Sequence, residues 1–392
     1  MGGWGLAQPP LATAERPSRP LGVVAQTDPT EAEFETMRAG GVRAYRWLIP
    51  WPALQPSADA EPDWTETDRI VGNLAENGIT PLPFVSGSPC FAVDCAREPP
   101  SRAHRQPPVG SARGKLAWAR FLGRLVDRYG SGGSFWSANP SLPRNPITAW
   151  QIWNEQNAPR NFAPAPSVAR YAELVAIAAR AIRSRDPGAR IVLGGMQGAP
   201  RGRGAIEATA FLDELYGTPS AADDFDAVAV HPYARDVAGV ARQVREIRKV
   251  IDSHGDRATP VWVTELGWGV SEGGGGRLTA TPMGQARMLS DAFRLLLERA
   301  NRWNLAGILW YAWRDTPPGE AVCGWCTTAG LFDAAGRARP AWRAFTDLSG
   351  GTSTPLASGD DGGSDGWAPW LLLAIGVPLA LTALWILRRR RR

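Results

Sequence analysis

Strand-like and helix-like stretches alternate strictly along residues 21–348 of this 392-residue chain, and that rhythm limits the fold more than any other feature. Short apolar runs rich in β-formers stand at 21–26, 42–48, 79–85, 147–153, 191–194, 227–230, 261–264 and 307–313. Stretches with helical spacing lie at 30–40, 64–77, 115–129, 167–185, 210–216, 237–253 and 281–299, with a last one at 340–348. Their ends carry start and stop signals: Thr30 as an N-cap, then Gly40 with Gly41, Gly78, Gly130, and Pro187 with Gly188 as stops. A strand that returns parallel to its predecessor needs a helix-sized crossover. Eight such units predict an α/β fold, a (β/α)8 TIM barrel. A doubly wound open sheet is the competing arrangement, but no G-x-G-x-x-G follows the first run. The period is too uneven for a solenoid.

A barrel of this kind places its site at the C-terminal ends of the strands. Arg46 lies in the second run, Asn154 and Glu155 follow the fourth, and His231 and Tyr233 follow the sixth. Glu265 follows the seventh, and Trp310 and Trp313 lie in the eighth. Two glutamates at strand ends of one barrel can stand on opposite sides of one bond, as glycoside hydrolysis requires. In order and spacing these residues resemble clan A of the retaining glycoside hydrolases, over about residues 20–348. Cellulase-like and β-xylosidase-like members are the nearest in kind. The resemblance implies cleavage of O-glycosidic bonds, of the β kind, by double displacement. It assigns Glu155 as acid/base, Glu265 as nucleophile, Arg46 as the support of the nucleophile, and His231 with Tyr233 as the strand-six pair.

The physical demands agree with that assignment. An acid must start protonated, which needs an apolar surrounding or a nearby negative charge. Trp150 and Trp153 are read as the first and Glu265 as the second. Asn154 is placed to hold a sugar 2-hydroxyl. Trp310 and Trp313 lie three apart on a strand and so face opposite sides, and Trp310 is favoured as the sugar platform. No cofactor and no metal are expected, because the three histidines, His104, His231 and His254, are too few for a His-built centre. A non-catalytic carbohydrate-binding barrel at the cell surface is the alternative. It has no need of both glutamates.

The expected partners are an oligo- or polysaccharide and a lipid bilayer. Residues 368–387 form an uncharged apolar run, with Trp367 and Trp370 at one edge and five Arg, 388–392, at the other. That pattern predicts one transmembrane helix at 367–387, a cytoplasmic basic tail at 388–392, and the barrel domain, 21–348, outside the cell membrane. Residues 349–366, rich in Gly, Ser and Asp, read as a flexible linker, and 1–20 as an N-terminal extension without a basic stretch followed by an apolar core. Lys and Arg total 43 against 38 for Asp and Glu, so the excess of five equals the terminal arginines and no nucleic-acid partner is expected. Cys90 with Cys95, and Cys323 with Cys326, read as two local disulfides outside the cell in preference to a zinc site.

Overall fold

Each of the eight predicted runs becomes a parallel strand in the computed structural model, which describes residues 19–96, 98–273, 276–317 and 323–354. They are β1 (Leu21–Val24), β2 (Ala44–Arg46, continued by Leu48–Pro50), β3 (Thr80–Pro81, continued by Phe84–Ser86) and β4 (Ala149–Ile152). Then come β5 (Arg190–Leu193, continued by Met196–Gln197), β6 (Val228–His231), β7 (Val261–Leu266) and β8 (Leu305–Tyr311). Each strand pairs in parallel with the next. Strand β8 pairs back onto β1, so the ladder returns to its start as in a TIM barrel. The breaks inside β2 and β3 are local, since Leu82 and Phe84 still donate to Tyr45 and Trp47 across them.

The crossovers are α1 (Glu31–Ala39), α2 (Thr65–Glu76), α3 (Ala112–Tyr129), α4 (Val168–Arg183), α5 (Ala208–Gly217), α6 (Val237–Ser253) and α7 (Pro282–Arg299). A last helix, α8 (Pro340–Ser349), follows β8. Side chains alternate along each strand, so the chain builds two apolar layers. Val24, Leu82, Val192, Ala229 and Leu309 fill the barrel interior. Val23, Tyr45, Trp150, Ile191, Val263 and Trp310 face the helices and belong to a larger core with Phe34, Leu74, Phe121, Leu174 and Phe293.

Helix α1 starts in a capping box: Glu33 N–H donates to the Thr30 hydroxyl at 3.3 Å, and Thr30 N–H donates to Glu33 Oε2 at 2.8 Å. The other oxygen of Glu33 accepts from the Trp313 indole at 2.9 Å and pairs with Arg314 at 3.2 Å. One buried carboxylate therefore fastens the first crossover to the chain leaving the last strand. Trp313 is spent on this contact. Trp310 turns outward against Trp268 and Phe293 and donates to Ala329 O at 3.0 Å. Neither is the sugar platform expected from the sequence, because both are fully buried in the outer core.

Both disulfides are present, Cys90 with Cys95 and Cys323 with Cys326. Residues 350–354, read as the start of a linker, are tied to the barrel: Thr352 donates to Ala39 O at 2.8 Å and the Trp342 indole to Thr354 O at 3.1 Å. Among the described residues no helix is long and apolar enough to cross a membrane. The span expected at 367–387, the rest of the linker, the basic tail and residues 1–18 lie outside the described residues.

Replacing Glu33 by Ala strands the Arg314 charge and the Trp313 indole together with the α1 cap. A loss of about 3 kcal/mol is expected, the low end for a buried pair deprived of one partner. Thr30→Ala, which removes the cap hydroxyl alone, should cost about 1 kcal/mol. Urea unfolding of the two variants measures the difference. Equal losses would show that the link to β8 contributes nothing.

Candidate active site

Arg46 occupies the middle of the barrel mouth. It is fully buried, and each of its three guanidinium nitrogens has its own partner. Nε donates to Gln151 Oε1 at 2.6 Å, Nη1 to Glu265 Oε1 at 2.7 Å, and Nη2 to Asn154 Oδ1 at 2.8 Å. The guanidinium lies 4.0 Å from the centre of the Phe84 ring. Burial lowers its pKa, and the Glu265 carboxylate pulls it back up. Four residues from β2, β4 and β7 and the loop after β4 are thereby fixed against one another. Gln151, which also donates to Leu193 O at 3.0 Å, was not marked by the sequence, where it reads as a polar residue inside a strand.

Glu265 is the last residue but one of β7, with its side chain 10% exposed. Its second oxygen accepts from the Tyr233 hydroxyl at 2.7 Å. Burial and the Glu265 charge hold the Tyr233 phenol well above its ordinary pKa, so it remains a donor at neutral pH. Arg46 and Tyr233 thus each satisfy one oxygen of the carboxylate.

Glu155 has a different environment. The chain leaves β4 with Trp153 at φ 71° and Glu155 at φ 48°, both in the left-handed region that L-residues rarely adopt. Hydrogen bonds hold that turn: Trp153 N–H to Val85 O at 2.9 Å, Glu155 N–H to Gly195 O at 3.1 Å, and the Trp153 indole to Asn161 O at 2.9 Å. Glu155 Oε2 accepts from the side-chain amides of Asn161 at 2.6 Å and Gln197 at 2.9 Å. Oε1 meets His231 Nδ1 at 3.0 Å. Burial pushes the carboxyl up to about 7, against the downward pull of Gln197, Arg160, Arg46 and Asn161. Trp150 has no part in this, because alternation along β4 turns it outward while Gln151 faces in.

His231 stands between the two glutamates, 3.0 Å from Glu155 and 3.4 Å from Glu265. Its other nitrogen meets the Thr264 hydroxyl at 3.0 Å. Burial lowers the imidazole pKa to about 3 despite Glu265, so the ring is neutral. A Cβ at Gly195 would come within 1.9 Å of His231 Nε2, so only glycine lets the ring lie there. Oxygens of Glu155 and Glu265 and a nitrogen of His231 lie within 4.8 Å of one another.

A cavity of about 1280 Å³ opens over the pair. Asn154, Tyr233, Tyr311 and Trp325 line it with the glutamates. Trp325 lies between Cys323 and Cys326 and packs against Tyr233, with ring centroids 4.8 Å apart, and Tyr311, at 5.8 Å. Tyr311 and Trp325 thus form one aromatic wall of the cavity, which Tyr45, Trp47 and Phe84 also line. Of the predicted residues, Arg46, Asn154, Glu155, His231, Tyr233 and Glu265 converge, whereas Trp310 and Trp313 do not.

A family model described as "Glycosyl hydrolase catalytic core" matches residues 134–320, a stretch that contains both glutamates. No curated protein matches the chain. Among solved structures, a family 39 glycoside hydrolase from Bacteroides cellulosilyticus WH2 superposes with a TM-score of 0.61 at 19% identity, over 85% of this chain and 64% of the other. A monomeric β-xylosidase from Caulobacter crescentus CB15 gives 0.62 at 18%, over 84% and 68%. A GH5_18 protein from Bifidobacterium longum subsp. longum ATCC 55813, solved with Manβ1-4GlcNAc, gives 0.59 at 15%, over 84% and 78%. The chain thus spans under two thirds of the first of these proteins. Residues 134–320 match a glycosyl hydrolase catalytic core, and the fold is that of glycoside hydrolases of families 39 and 5.

Proposed function

We propose that the chain is a retaining glycosidase acting on β-linked sugars, with Glu265 as nucleophile and Glu155 as acid/base. The observation that carries the reading is the approach of the two carboxylates, whose oxygens lie within 4.8 Å of each other beside one imidazole. Retaining pairs stand about 5–5.5 Å apart, and inverting pairs about 6.5–9.5 Å, because inversion needs room for a water. The two environments favour a division of labour. Glu265 accepts from a guanidinium on one oxygen and a phenol on the other, which fix its orientation. Glu155 is buried against two amides and a neutral imidazole, and its proton persists to about pH 7 despite the pull of Arg160 and Arg46.

In the first step the Glu265 carboxylate attacks the anomeric carbon while Glu155 gives its proton to the departing oxygen. In the second, Glu155 takes a proton from water, which displaces Glu265. Asn154 has its carbonyl on Arg46, which leaves its amide N–H groups to donate to a sugar hydroxyl. Tyr311 and Trp325 offer apolar faces to the sugar ring. The neighbours described as a β-xylosidase and as a protein solved with Manβ1-4GlcNAc make pentosides and hexosides the first substrates to test. A non-catalytic binding barrel is not favoured, since a binder has no use for a carboxyl held protonated beside a second, charged one. We also propose a membrane anchor with the barrel outside. The apolar run before five arginines supports it, as do two disulfides, which persist in oxidising compartments. Protease added to intact cells should digest the barrel; protection would overturn the topology.

Glu265→Gln should abolish turnover of every glycoside. Glu155→Gln should stop turnover of poor leaving groups yet let dinitrophenyl β-glycosides react once and accumulate a glycosyl-enzyme. Azide should then restore turnover and yield a β-azide; an α-azide, or rescue of the Glu265 variant with retained configuration, would reverse or refute the roles. In the wild type, kcat/KM for a poor leaving group should fall as pH rises through about 7, where Glu155 loses its proton.

The raised carboxyl also affects stability. An ordinary Glu ionises near 4.5, whereas Glu155 in the fold holds its proton to about 7. Between those values the unfolded chain ionises and the folded one does not, so stability falls over that window and the penalty is complete above it. Glu155→Gln should therefore raise Tm at pH 8 by on the order of 2 °C, with the gain vanishing towards pH 4. Equal Tm values for variant and wild type at pH 8 would show that burial of Glu155 carries no such cost.

A further inference from the structure

The cavity over the glutamates does not end at them. It runs past Val24, the β1 partner of Arg46, into a recess between the segment after β1 and the start of α2. Gln26, Thr27, Asp28, Tyr45, Glu66 and Arg69 line this recess. Three of their polar atoms are buried with no hydrogen-bond partner among the described residues: Gln26 Nε2, Thr27 Oγ1 and Tyr45 Oη. Tyr45 is fully buried and Thr27 is 7% exposed. A buried donor or acceptor left unmatched costs about 1–3 kcal/mol, so three in one recess of an open cavity point to a polar occupant.

The other groups there are held in place. Thr316 donates to Gln26 Oε1 at 3.1 Å, which fixes the amide and leaves its N–H groups for the recess. Arg69 donates to Pro29 O at 2.7 Å, to both oxygens of Glu66 at 2.9 and 2.6 Å, and to Asp28. It thus acts as a positioning residue that sets two carboxylates against the cavity. Asp28 is pushed up to about 7 by burial and by its hydrogen bond with Glu66, against the pull of Arg69. The recess therefore combines fixed amide donors, hydroxyls able to donate or accept, and carboxyl acceptors, with Ile70 and Leu54 as apolar wall. A polyhydroxylated ring with apolar faces matches that set. A simple cation would leave the amide donor of Gln26 unmatched, and a simple anion would meet the acidic pair of Asp28 and Glu66.

Its position around the barrel fixes which end of a substrate it faces. The acid Glu155 and its partners Asn161 and Gln197 hang from the loop after β4 and the end of β5, and the departing oxygen must lie beside the acid. The recess lies across the mouth, at β1 and β2. We propose that it is a second sugar-binding subsite on the glycone side, so that the preferred substrate carries at least two sugar units before the bond cleaved. The inference rests on the retaining-glycosidase reading and narrows it.

Paired 4-nitrophenyl β-glycosides test it: xyloside with xylobioside, glucoside with cellobioside, mannoside with mannobioside, all on the full chain. For the sugar accepted, kcat/KM for nitrophenol release should be about tenfold higher on the disaccharide glycoside, since remote binding energy is used in the transition state. Tyr45→Phe and Thr27→Val, which each remove one hydroxyl or exchange it for a methyl, should each lower that disaccharide-to-monosaccharide ratio about fivefold. A ratio near one for every sugar cleaved, or a high ratio that neither substitution moves, would overturn the subsite while leaving the catalytic assignment intact. So would release of a free monosaccharide from the aryl disaccharide, which would put only one unit on the glycone side. Turnover of none of the glycosides would instead strike the roles of Glu155 and Glu265 and remove the subsite with them.

Discussion

A guanidinium buried at the mouth of a barrel is tolerable only if every nitrogen is matched, and Arg46 meets that condition with three partners from three places in the chain. An unpaired buried charge is strongly destabilising, whereas a fully paired one is roughly neutral. The geometry is therefore close to all-or-none. If Glu265 shifts, Arg46 loses its counter-charge, and if Gln151 or Asn154 shifts, a donor is orphaned. A lysine has a single ammonium in place of a planar fork and cannot span the same three acceptors. The positions of the nucleophile candidate, of Asn154 and of the β4 exit thus follow from one side chain's need for partners.

The same economy separates the two glutamates. Both touch His231, yet the ring does not average them, because burial keeps it neutral. What distinguishes them is burial and the groups bonded directly to each, since Arg160 and Arg46 pull on Glu155 as well. Glu265 has a cation and a phenol, and Glu155 has two amides. Burial raises the Glu155 carboxyl to about 7, the direction an acid role requires. The left-handed backbone at Trp153 and Glu155 belongs to the same account. It bends the chain out of β4 early enough to leave Asn154 against Arg46 and Glu155 across from Glu265.

The strand–helix alternation and the polar residues at strand ends were legible because both obey simple rules of period and position. Gln151, Asn161 and Gln197 were not, because nothing local distinguishes a glutamine that holds Arg46 from one that faces solvent. Gln197 is further hidden because the apolar run ends at Gly194, whereas the strand resumes at Met196–Gln197. The eighth strand shows a different limit. Counting by twos along 307–313 set Trp310 and Trp313 on opposite faces, but the strand ends at Tyr311 and the count fails beyond it. Tyr311 is the residue that faces the cavity, and Trp310 packs outward against Phe293 of α7. Abundant tryptophan therefore served the outer core here.

Trp325, a tryptophan that lines the cavity, is not marked by the strand pattern because it lies outside any strand, between two cysteines. A disulfide across so short a segment adds little global stability, because loop-closure entropy grows with the span enclosed. Its effect is local. With Cys323 joined to Cys326, Trp325 is carried on a tight loop whose ring meets Tyr233 edge-on, 4.8 Å between centroids. Tyr233 in turn donates to Glu265. The aromatic wall of the cavity and the hydrogen bond to the carboxylate are thus adjacent links of one chain of contacts. A ring that lines the cavity also restrains the phenol bonded to Glu265, which is the kind of support a preorganised site needs.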